Sequence, residues 1–462
     1  MRSSALVPRM RALAAALFAS AALARPAAAQ GVPDSPPELP KPPPVDDPLL
    51  APPPPAPRVV RSWDEAITLV RQAAPSYASN LQDVLRAEAQ GRVALVQLLP
   101  TVTGQATYTH QFLTTTFAFA GATFESPAPN VLGLAATLVV PVVNPRGIYA
   151  QHTASEGVAA AKLTFSDARR QIAVSLVHTL LQTLAAERAA ELNRVGLRTA
   201  LERLELAKTK VQWKQGTTLD VERAEQDAAA ARSMLITGDE SLRQTREALG
   251  VALGSPVPTS GPSDLSLDAF EQAVARTCTL SPDLESRPDV AAARKRIEIA
   301  SRLVKDAWYQ LLPTLSVQSQ VAYTSEAVLA PDTTWLVEGI LNVPIYDGGL
   351  AAATARDARA AVEQSRQALA TTRLNALVNV AQTTRAVTVL AATRDVAKTQ
   401  RDLARSIDQR TREGYLHGLG TSLDLVTSAQ SLRQAEISLV LLEFQVSEAR
   451  ANAVLANADC KY

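Results

Sequence analysis

Cysteine, histidine and aromatic residues are scarce in this 462-residue chain, which has two Cys, four His and 4% Phe, Trp and Tyr together. So few Cys and His exclude a disulfide-framework domain, and His110, His152, His178 and His417 show no metal-ligand spacing. An excess of one charge is missing as well: 46 Lys and Arg face 45 Asp and Glu. No global basic field is present of the kind nucleic acid attracts, so no nucleic-acid partner is expected. No phosphate loop, nucleophile elbow or His-Glu metal motif appears, and no pair of carboxylates stands out as catalytic. The chain is read as a non-enzyme with no cofactor and no metal. With three Met and eight Phe, the core must be built from Ala, Leu and Val, the composition of long, closely packed helices.

What is present begins with a secretory pattern. Residues 1–29 carry Arg2, Arg9 and Arg11, an apolar run from Ala12 to Ala24, and Ala27-Ala28-Ala29 before Gln30. A basic start, an apolar centre and a small-residue exit read as a signal peptide, and the run is too short to span a bilayer. Its removal takes away four Arg and no acid, moving the formal charge from +1 to −3. Residues 30–60 follow as a Pro-rich disordered tail or linker, with 13 of the 29 prolines between 31 and 60. Such a segment forms neither a helix nor a central strand and reads as an extended polyproline-like spacer.

Beyond residue 60 the chain repeats itself. Leu98-Leu99-Pro100-Thr101-Val102 returns as Leu311-Leu312-Pro313-Thr314-Leu315, and Val140-Pro141-Val142 as Val343-Pro344-Ile345. Gly216-Thr217-Thr218-Leu219-Asp220-Val221 returns as Gly420-Thr421-Ser422-Leu423-Asp424-Leu425. Three landmarks in the same order argue for a duplicated unit of about 200 residues. The predicted organisation is a first repeat over 61–255, an inter-repeat segment over 256–286, a second repeat over 287–457 and a tail over 458–462. Each repeat reads as a helix, a β-hairpin (101–141 and 314–344), a very long helix (146–213 and 348–412) and a further helix (218–250 and 422–457).

The strands alternate. Val102, Ala106, Tyr108 and Phe112 share one parity, and Thr101, Thr103, Gln105, Thr107 and Thr109 the other. Leu315, Val317, Val321 and Tyr323 likewise alternate with Thr314, Ser316, Gln318 and Gln320. Period two gives one apolar and one polar face. The plain reading is an antiparallel sheet with one wet face. The strands are also long enough to cross a bilayer when tilted, and their uncharged polar face suits a watery lumen. Tyr108, Phe112, Tyr323 and Trp335, with Phe117, Phe119 and Phe124 in the loop, suit an interfacial girdle. Glu338 falls on the face of Leu336, Ile340 and Asn342 and is expected to face the lumen, with Gln105 and Gln318, because charge toward lipid is costly. Four strands cannot close a barrel, and an open edge cannot persist in lipid. Several chains must therefore share one barrel; three give twelve strands, and four also satisfy the rule.

The long helices contain no proline, and apolar residues recur at threes and fours, as in Ile172, Leu176, Leu180 and Leu184. A stretch of 68 residues measures about 100 Å as a helix. The shorter helices, stacked end to end, nearly match one long one. The predicted class is mainly α with a membrane β-barrel: a duplicated helix–hairpin–long-helix–helix unit forming an α-barrel.

With Trp63-Asp64-Glu65-Ala66, Arg287-Pro288-Asp289, Val343-Pro344-Ile345-Tyr346-Asp347-Gly348-Gly349 and Gly418-Leu419-Gly420-Thr421-Ser422-Leu423-Asp424 in place, the chain resembles the TolC-type outer-membrane efflux family over residues 61–457. The resemblance implies a homotrimer whose shared twelve-stranded β-barrel sits in outer-membrane lipid and whose α-barrel crosses the periplasm. It implies a passive exit duct of an efflux or type I secretion system, served by a periplasmic adaptor protein and an inner-membrane pump. A soluble periplasmic coiled-coil adaptor is the alternative. The family carries acidic rings and a Tyr-centred latch at its periplasmic mouth. Carried over, Asp424 and Tyr415 take those places, with Asp220 the equivalent in the first repeat and Thr421 beside the aperture. Thr427 stands where a second acid is often found, and Gly420 where a basic latch residue can occur. Asp220 and Asp424 each follow a Thr by three, so helix capping is an equal reading of both. His417 reads as a solvated turn residue, with pH-tuned gating as the sharper alternative. In the resembling fold Cys278 and Cys460 both reach the equatorial belt, where an oxidising periplasm permits a disulfide; two free thiols are the alternative.

Overall fold

The computed structural model describes residues 45–113, 116–119, 121–125, 130–262, 264–281, 283–325 and 331–462. The signal peptide and residues 30–44 lie outside them, as do the side chains of Phe117, Phe119 and Phe124. In chain order the elements are β1 (Arg58–Val59), α1 (Trp63–Ala73), α2 (Pro75–Val96), β2 (Thr101–His110), β3 (Thr116–Phe119), β4 (Ala122–Glu125), β5 (Asn130–Val143), α3 (Pro145–Gln212) and α4 (Thr218–Ala252). They continue with β6 (Thr259–Ser260), α5 (Leu267–Thr277), β7 (Cys278–Leu280), α6 (Pro288–Tyr309), β8 (Thr314–Thr324), β9 (Thr333–Asn342), α7 (Leu350–Leu416), α8 (Ser422–Leu455) and β10 (Ala458–Cys460). The duplicated order read from the sequence is present. The first inter-strand loop adds a short hairpin, β3 on β4.

Local chemistry sets where each long helix starts. Asn144 Oδ1 accepts from Gly147 N–H at 2.9 Å to cap α3. At the equivalent place in the second repeat, the Asp347 carboxylate accepts from Gly349 N–H at 2.9 Å and Ala351 N–H at 2.7 Å. Gly348 and Gly349 have φ of 69° and 86°, a left-handed turn that a side chain would strain. The Tyr-Asp-Gly-Gly run is thus a strand-to-helix turn closed by its own acid.

The helices form side-by-side rods. α3 has 68 residues and α7 has 67, each about 100 Å long at about 1.5 Å per residue. α2 lies along the first part of α3, with Glu88 paired to Lys162 at 3.0 Å. α4 lies along the rest, where Arg194 meets Asp239 and Arg203 meets Asp227. α6 and α8 flank α7 in the same way. The interfaces are rich in alanine: Ala200, Ala207, Ala224, Ala228 and Ala231 are all buried between α3 and α4. Small side chains permit the close axial approach that two long parallel rods require. None of the described helices is long and apolar enough to cross a membrane.

Between the two halves of each rod sits an equatorial core. Trp63, Val70, Phe270, Val274 and Leu455 are all within 2% of full burial there. Ser62 caps α1 through Glu65 N–H, and Trp63 Nε1 donates to Thr277 Oγ1 at 3.0 Å while its ring meets Phe270 edge-on. β1 pairs with β6 in parallel and β7 with β10 antiparallel. Of the Pro-rich segment the described part, residues 45–60, lies along α3 and α4 and enters this framework at β1, with Asp47 capping a 3₁₀ turn over Pro48–Leu50. Proline prevents helix and central strand, but it does not prevent docking of an extended chain.

Candidate functional site

The four long strands form one antiparallel sheet in the order β2-β5-β8-β9. Two hairpins meet through β5 and β8, and the outer edges of β2 and β9 are unpaired within the chain. The register sorts the faces. Thr101 opposes Val139, Val139 opposes Gln318, and Gln318 opposes Glu338, so these four form one row. Gln105 opposes Ala135 and Ala135 opposes Ala322, which places Gln105 on the same face. Glu338, Gln318 and Gln105 therefore share a side with Thr103, Thr107, Thr137 and Gln320. The opposite side carries Val102, Tyr108, Leu134, Leu138, Val321, Tyr323, Trp335 and Leu341. Glu338 is the one carboxylate in these four strands, which contain no Lys or Arg.

Several polar atoms on the apolar face bond to neighbours on the same face, as contact with hydrocarbon would demand. Trp335 Nε1 donates to Ser319 Oγ at 3.0 Å. Near the loop end, Tyr108 Oη donates to Asn130 Oδ1 at 2.7 Å, and His110 Nδ1 lies 2.8 Å from the same oxygen. Phe112 packs edge-on against His110. Tyr108, Phe112 and Tyr323 thus gather at the loop end of the sheet, with Trp335 a little nearer the helices.

At the other end of the rods lie the two helix-to-helix turns. Both Thr-x-x-Asp segments form complete capping boxes: Thr217 with Asp220 on α4, and Thr421 with Asp424 on α8. Beyond that the two acids differ. Asp424 is exposed, and its carboxylate accepts from Thr421 Oγ1 at 2.7 Å and Thr421 N–H at 3.2 Å. No bond joins it to Tyr415 among the described residues. Asp220 instead reaches across the repeats to accept a hydrogen bond from Ser422 Oγ at the start of α8. Arg223 Nη1 donates to the same hydroxyl at 3.3 Å. Tyr415 is 6% exposed; Lys210 Nζ donates to its carbonyl at 2.6 Å and sits 3.9 Å from its ring centroid. This cation–π contact and hydrogen bond tie the end of α3 to the end of α7.

The cross-repeat tie is asymmetric. Lys210, Asp220 and Arg223 come from the first repeat; Tyr415 and Ser422 come from the second. Their counterparts 204 positions away are Gly414, Asp424, Thr427, Val211 and Thr218; Gly414, Thr427 and Val211 lack the cations and the ring, and Asp424 and Thr218, which keep the carboxylate and the hydroxyl, are not joined among the described residues. Sequence reasoning missed Lys210, Arg223 and Ser422, because each gains its role only when the two tips meet. The available signal was the pair of cations that breaks the repeat symmetry. The turn ends differ as well: Gly418 has φ 77° and Lys214, its counterpart, has φ 59°. A side chain in that region is strained. Lys214→Gly is expected to stabilise the first tip by about 0.5–1 kcal/mol in a urea melt.

Electrostatics favours an ionised Asp220. Burial opposes its charge, but hydrogen bonds from Ser422 and Thr217, and then the nearby Arg223, hold its carboxyl below the usual 3.8. Burial also lowers the Lys210 ammonium, against the pull of Asp220, and raises the Tyr415 phenol, with Asp220 adding to the rise. A depressed folded-state value contributes stability above the unfolded value and loses it as pH falls through the folded one. The Asp220–Ser422 tie should thus begin to weaken below about pH 4 and fail as pH falls through the folded-state value, which lies lower still. Amide exchange at the start of α8 should accelerate only below that point, and Asp220→Asn should exchange fast at neutral pH.

The belt between sheet and tip holds the remaining candidates. Cys278 and Cys460 are paired across β7 and β10, sulfurs 2.07 Å apart, in the equatorial core. Arg287, which opens α6, is buried; it pairs with Asp289 at 2.9 Å and donates to the Ala456 carbonyl at 2.8 Å, tying α6 to the end of α8. His417 follows α7 and is exposed.

Comparison with known proteins agrees with this geometry. The profile of the outer membrane efflux protein family matches residues 280–456. The pyoverdine export outer membrane protein OpmQ of Pseudomonas putida is 25% identical over 311 residues, 67% of this chain and 66% of that protein. The chain therefore matches just under two thirds of the length of this relative, and about half that of other curated relatives. The crystal structure of CusC superposes with a TM-score of 0.72 at 16% identity, covering 85% of this chain and 91% of that one. The open-state MtrE channel of Neisseria gonorrhoeae gives 0.69 at 19%, covering 85% and 88%. The chain matches the outer membrane efflux protein family in sequence, and it has the fold of the TolC-type outer-membrane channels.

Proposed function

We propose that this chain is the outer-membrane exit duct of a tripartite efflux or type I secretion system. The observation that carries the reading is the four-stranded sheet with two open edges, one apolar face and one polar face, set on helical rods about 100 Å long. An unpaired edge in hydrocarbon costs several kcal/mol per backbone group, so β9 of one copy pairs with β2 of the next. Three copies make twelve strands of alternating direction and leave no edge. The rods support the same assembly. α7 exposes Val389, Val396 and Leu403, spaced by seven, at 60% or more, a coiled-coil seam that a neighbouring copy covers. The polar face then lines a lumen in which Glu338, Gln318 and Gln105 meet the solute. The tips form the periplasmic mouth, where Asp424 of each copy contributes one exposed carboxylate. The duct is passive; an inner-membrane pump supplies the energy and a periplasmic adaptor joins the two. The signal peptide supplies export, and the outer membrane is the location.

Planar-bilayer conductance of the mature protein tests this. Discrete channels that prefer cations are expected, because Glu338 in the barrel and Asp424 at the mouth are both acids. Glu338→Gln should shift the reversal potential toward zero at low salt and lose most of that shift at 1 M, where screening is about 3 Å. Asp424→Ala should reduce cation preference or widen the opening. A protein that stays soluble without detergent and inserts into no bilayer defeats the reading.

A further inference from the structure

Residues 45–57 lie as a strap on the tip-side half of α3 and α4, and their exposure has a period of three. Asp47, Leu50, Pro53 and Ala56 are half-buried, while every residue between them is exposed. The interval from Asp47 to Leu50 is the 3₁₀ turn already described; beyond it, through Pro52–Pro55, three residues per turn is the polyproline II repeat. The spacing of the attachments agrees. Arg232 Nε donates to Asp47 Oδ2 at 3.0 Å, and Arg246 Nη1 donates to the Pro54 carbonyl at 3.1 Å. The two arginines stand fourteen positions apart on α4, about 21 Å, and seven strap residues lie against that span. The 3₁₀ turn rises about 2 Å per residue and the extended part about 3.1 Å, so the seven cover about 18 Å and the arginine side chains reach the rest. Val45 and Leu50 close the contact by packing on the apolar cluster of Leu197, Leu201, Leu204 and Leu235.

We propose that the α3/α4 groove is a polyproline-binding surface, held in cis by residues 47–56 and open to exchange with a proline-rich, acid-bearing segment of a periplasmic partner protein. The chemistry of the ligand is written in the strap: a carboxylate for Arg232, a leucine three residues later, and small or proline residues at each following third position. The attachments suit exchange. They amount to one ion pair whose arginine side chain is 42% exposed, one hydrogen bond and a few half-buried side chains, each a weak contribution. The anchor lies just beyond, where β1 pairs with β6 and Val60 enters the equatorial core. A displaced strap therefore stays tethered, at an effective concentration on the order of millimolar. It acts as a built-in competitor that any groove ligand must outbid.

The test is fluorescence anisotropy with a fluorescein-labelled peptide of residues 45–57, titrated into the detergent-solubilised mature protein. The release variant Asp47→Lys with Leu50→Asp should bind the peptide at least tenfold more tightly than wild type, whose groove is filled. Adding Arg232→Glu to the release variant should abolish that binding. The single change Asp47→Asn, which is isosteric, should give an intermediate affinity. Equal binding by wild type and release variant, or no binding by the release variant up to about 1 mM, overturns the proposal. The titration reads no ion flow. A chain that exchanges the peptide but forms no channel defeats the duct reading alone; a channel whose groove ignores the peptide defeats this one alone.

Discussion

Asp227→Ala is expected to destabilise the tip-side half of the chain by about 3–5 kcal/mol. Asp227 is 1% exposed and lies where α3, α4 and α8 meet. One carboxylate oxygen accepts from Arg203 Nη2 at 2.6 Å; the other accepts from Gln430 Nε2 at 3.0 Å and lies 3.5 Å from Arg433 Nη2. Arg203 and Arg433 have side chains 15% and 8% exposed, so neither reaches water freely once the acid is gone. Arg433 also fills the space beside Gly196, where an added Cβ would lie 2.6 Å from its Cδ; the glycine lets α3 approach that side chain. The loss is the cost of two stranded cations more than the worth of the ion pair. Urea melts of the solubilised protein should show the drop. Asp227→Leu combined with Arg203→Met and Arg433→Met should recover most of it, because a dry apolar cluster strands no charge. An Asp227→Ala protein as stable as wild type would show that water reaches this seam.

Removing the Cys278–Cys460 bridge is expected to cost about 2–5 kcal/mol, near the upper end because the bridge closes a long loop. The cysteines are 182 residues apart in sequence and both are at most 1% exposed. The bridge closes the whole second repeat into one loop. It also secures β10, and beyond β10 the Tyr462 ring stacks beside Tyr77 while its hydroxyl donates to the Arg169 carbonyl at 2.5 Å. Burial raises the Tyr462 phenol far above its usual value, so this hydroxyl stays a donor at any physiological pH. Cys278→Ser with Cys460→Ser should lower the melting temperature and free the end of the chain. Reductant should leave the folded wild type untouched and lower its stability only once the core opens. Equal melting of the two proteins would assign the stability of the belt to packing alone.

The large elements were legible because their periods are long and uninterrupted. Alternation from Thr101 to Tyr108 can place Gln105 on one face only, and the register puts Gln318 and Glu338 beside it. Asn144 and Asp347 mark the helix starts within a residue or two. The equatorial elements were not legible. β1, β6, β7 and β10 have two or three residues each, too few for a period, and they form because the belt around Trp63 and Phe270 buries them. The strap shows the same division. Its prolines announce an extended chain, whereas the groove that receives it exists only after α3 and α4 have paired. At the tip, the capping boxes follow from spacing, but the Lys210–Tyr415 tie depends on two turns 204 residues apart meeting in space.

The equatorial belt draws on residues 58–77, 259–280 and 455–462, so it takes strands and side chains from across nearly the whole described chain. This imposes an order in time. A chain synthesised from its first residue cannot complete the belt until residue 460 has followed. Until then Trp63 and Phe270 lack the partners around Leu455 and Cys460, and the first repeat waits half-sealed on the second. Synthesis and completion of the fold are thereby kept in sequence by geometry. A copy arrested midway offers its unfinished belt to chaperones and proteases, while a finished copy hides it.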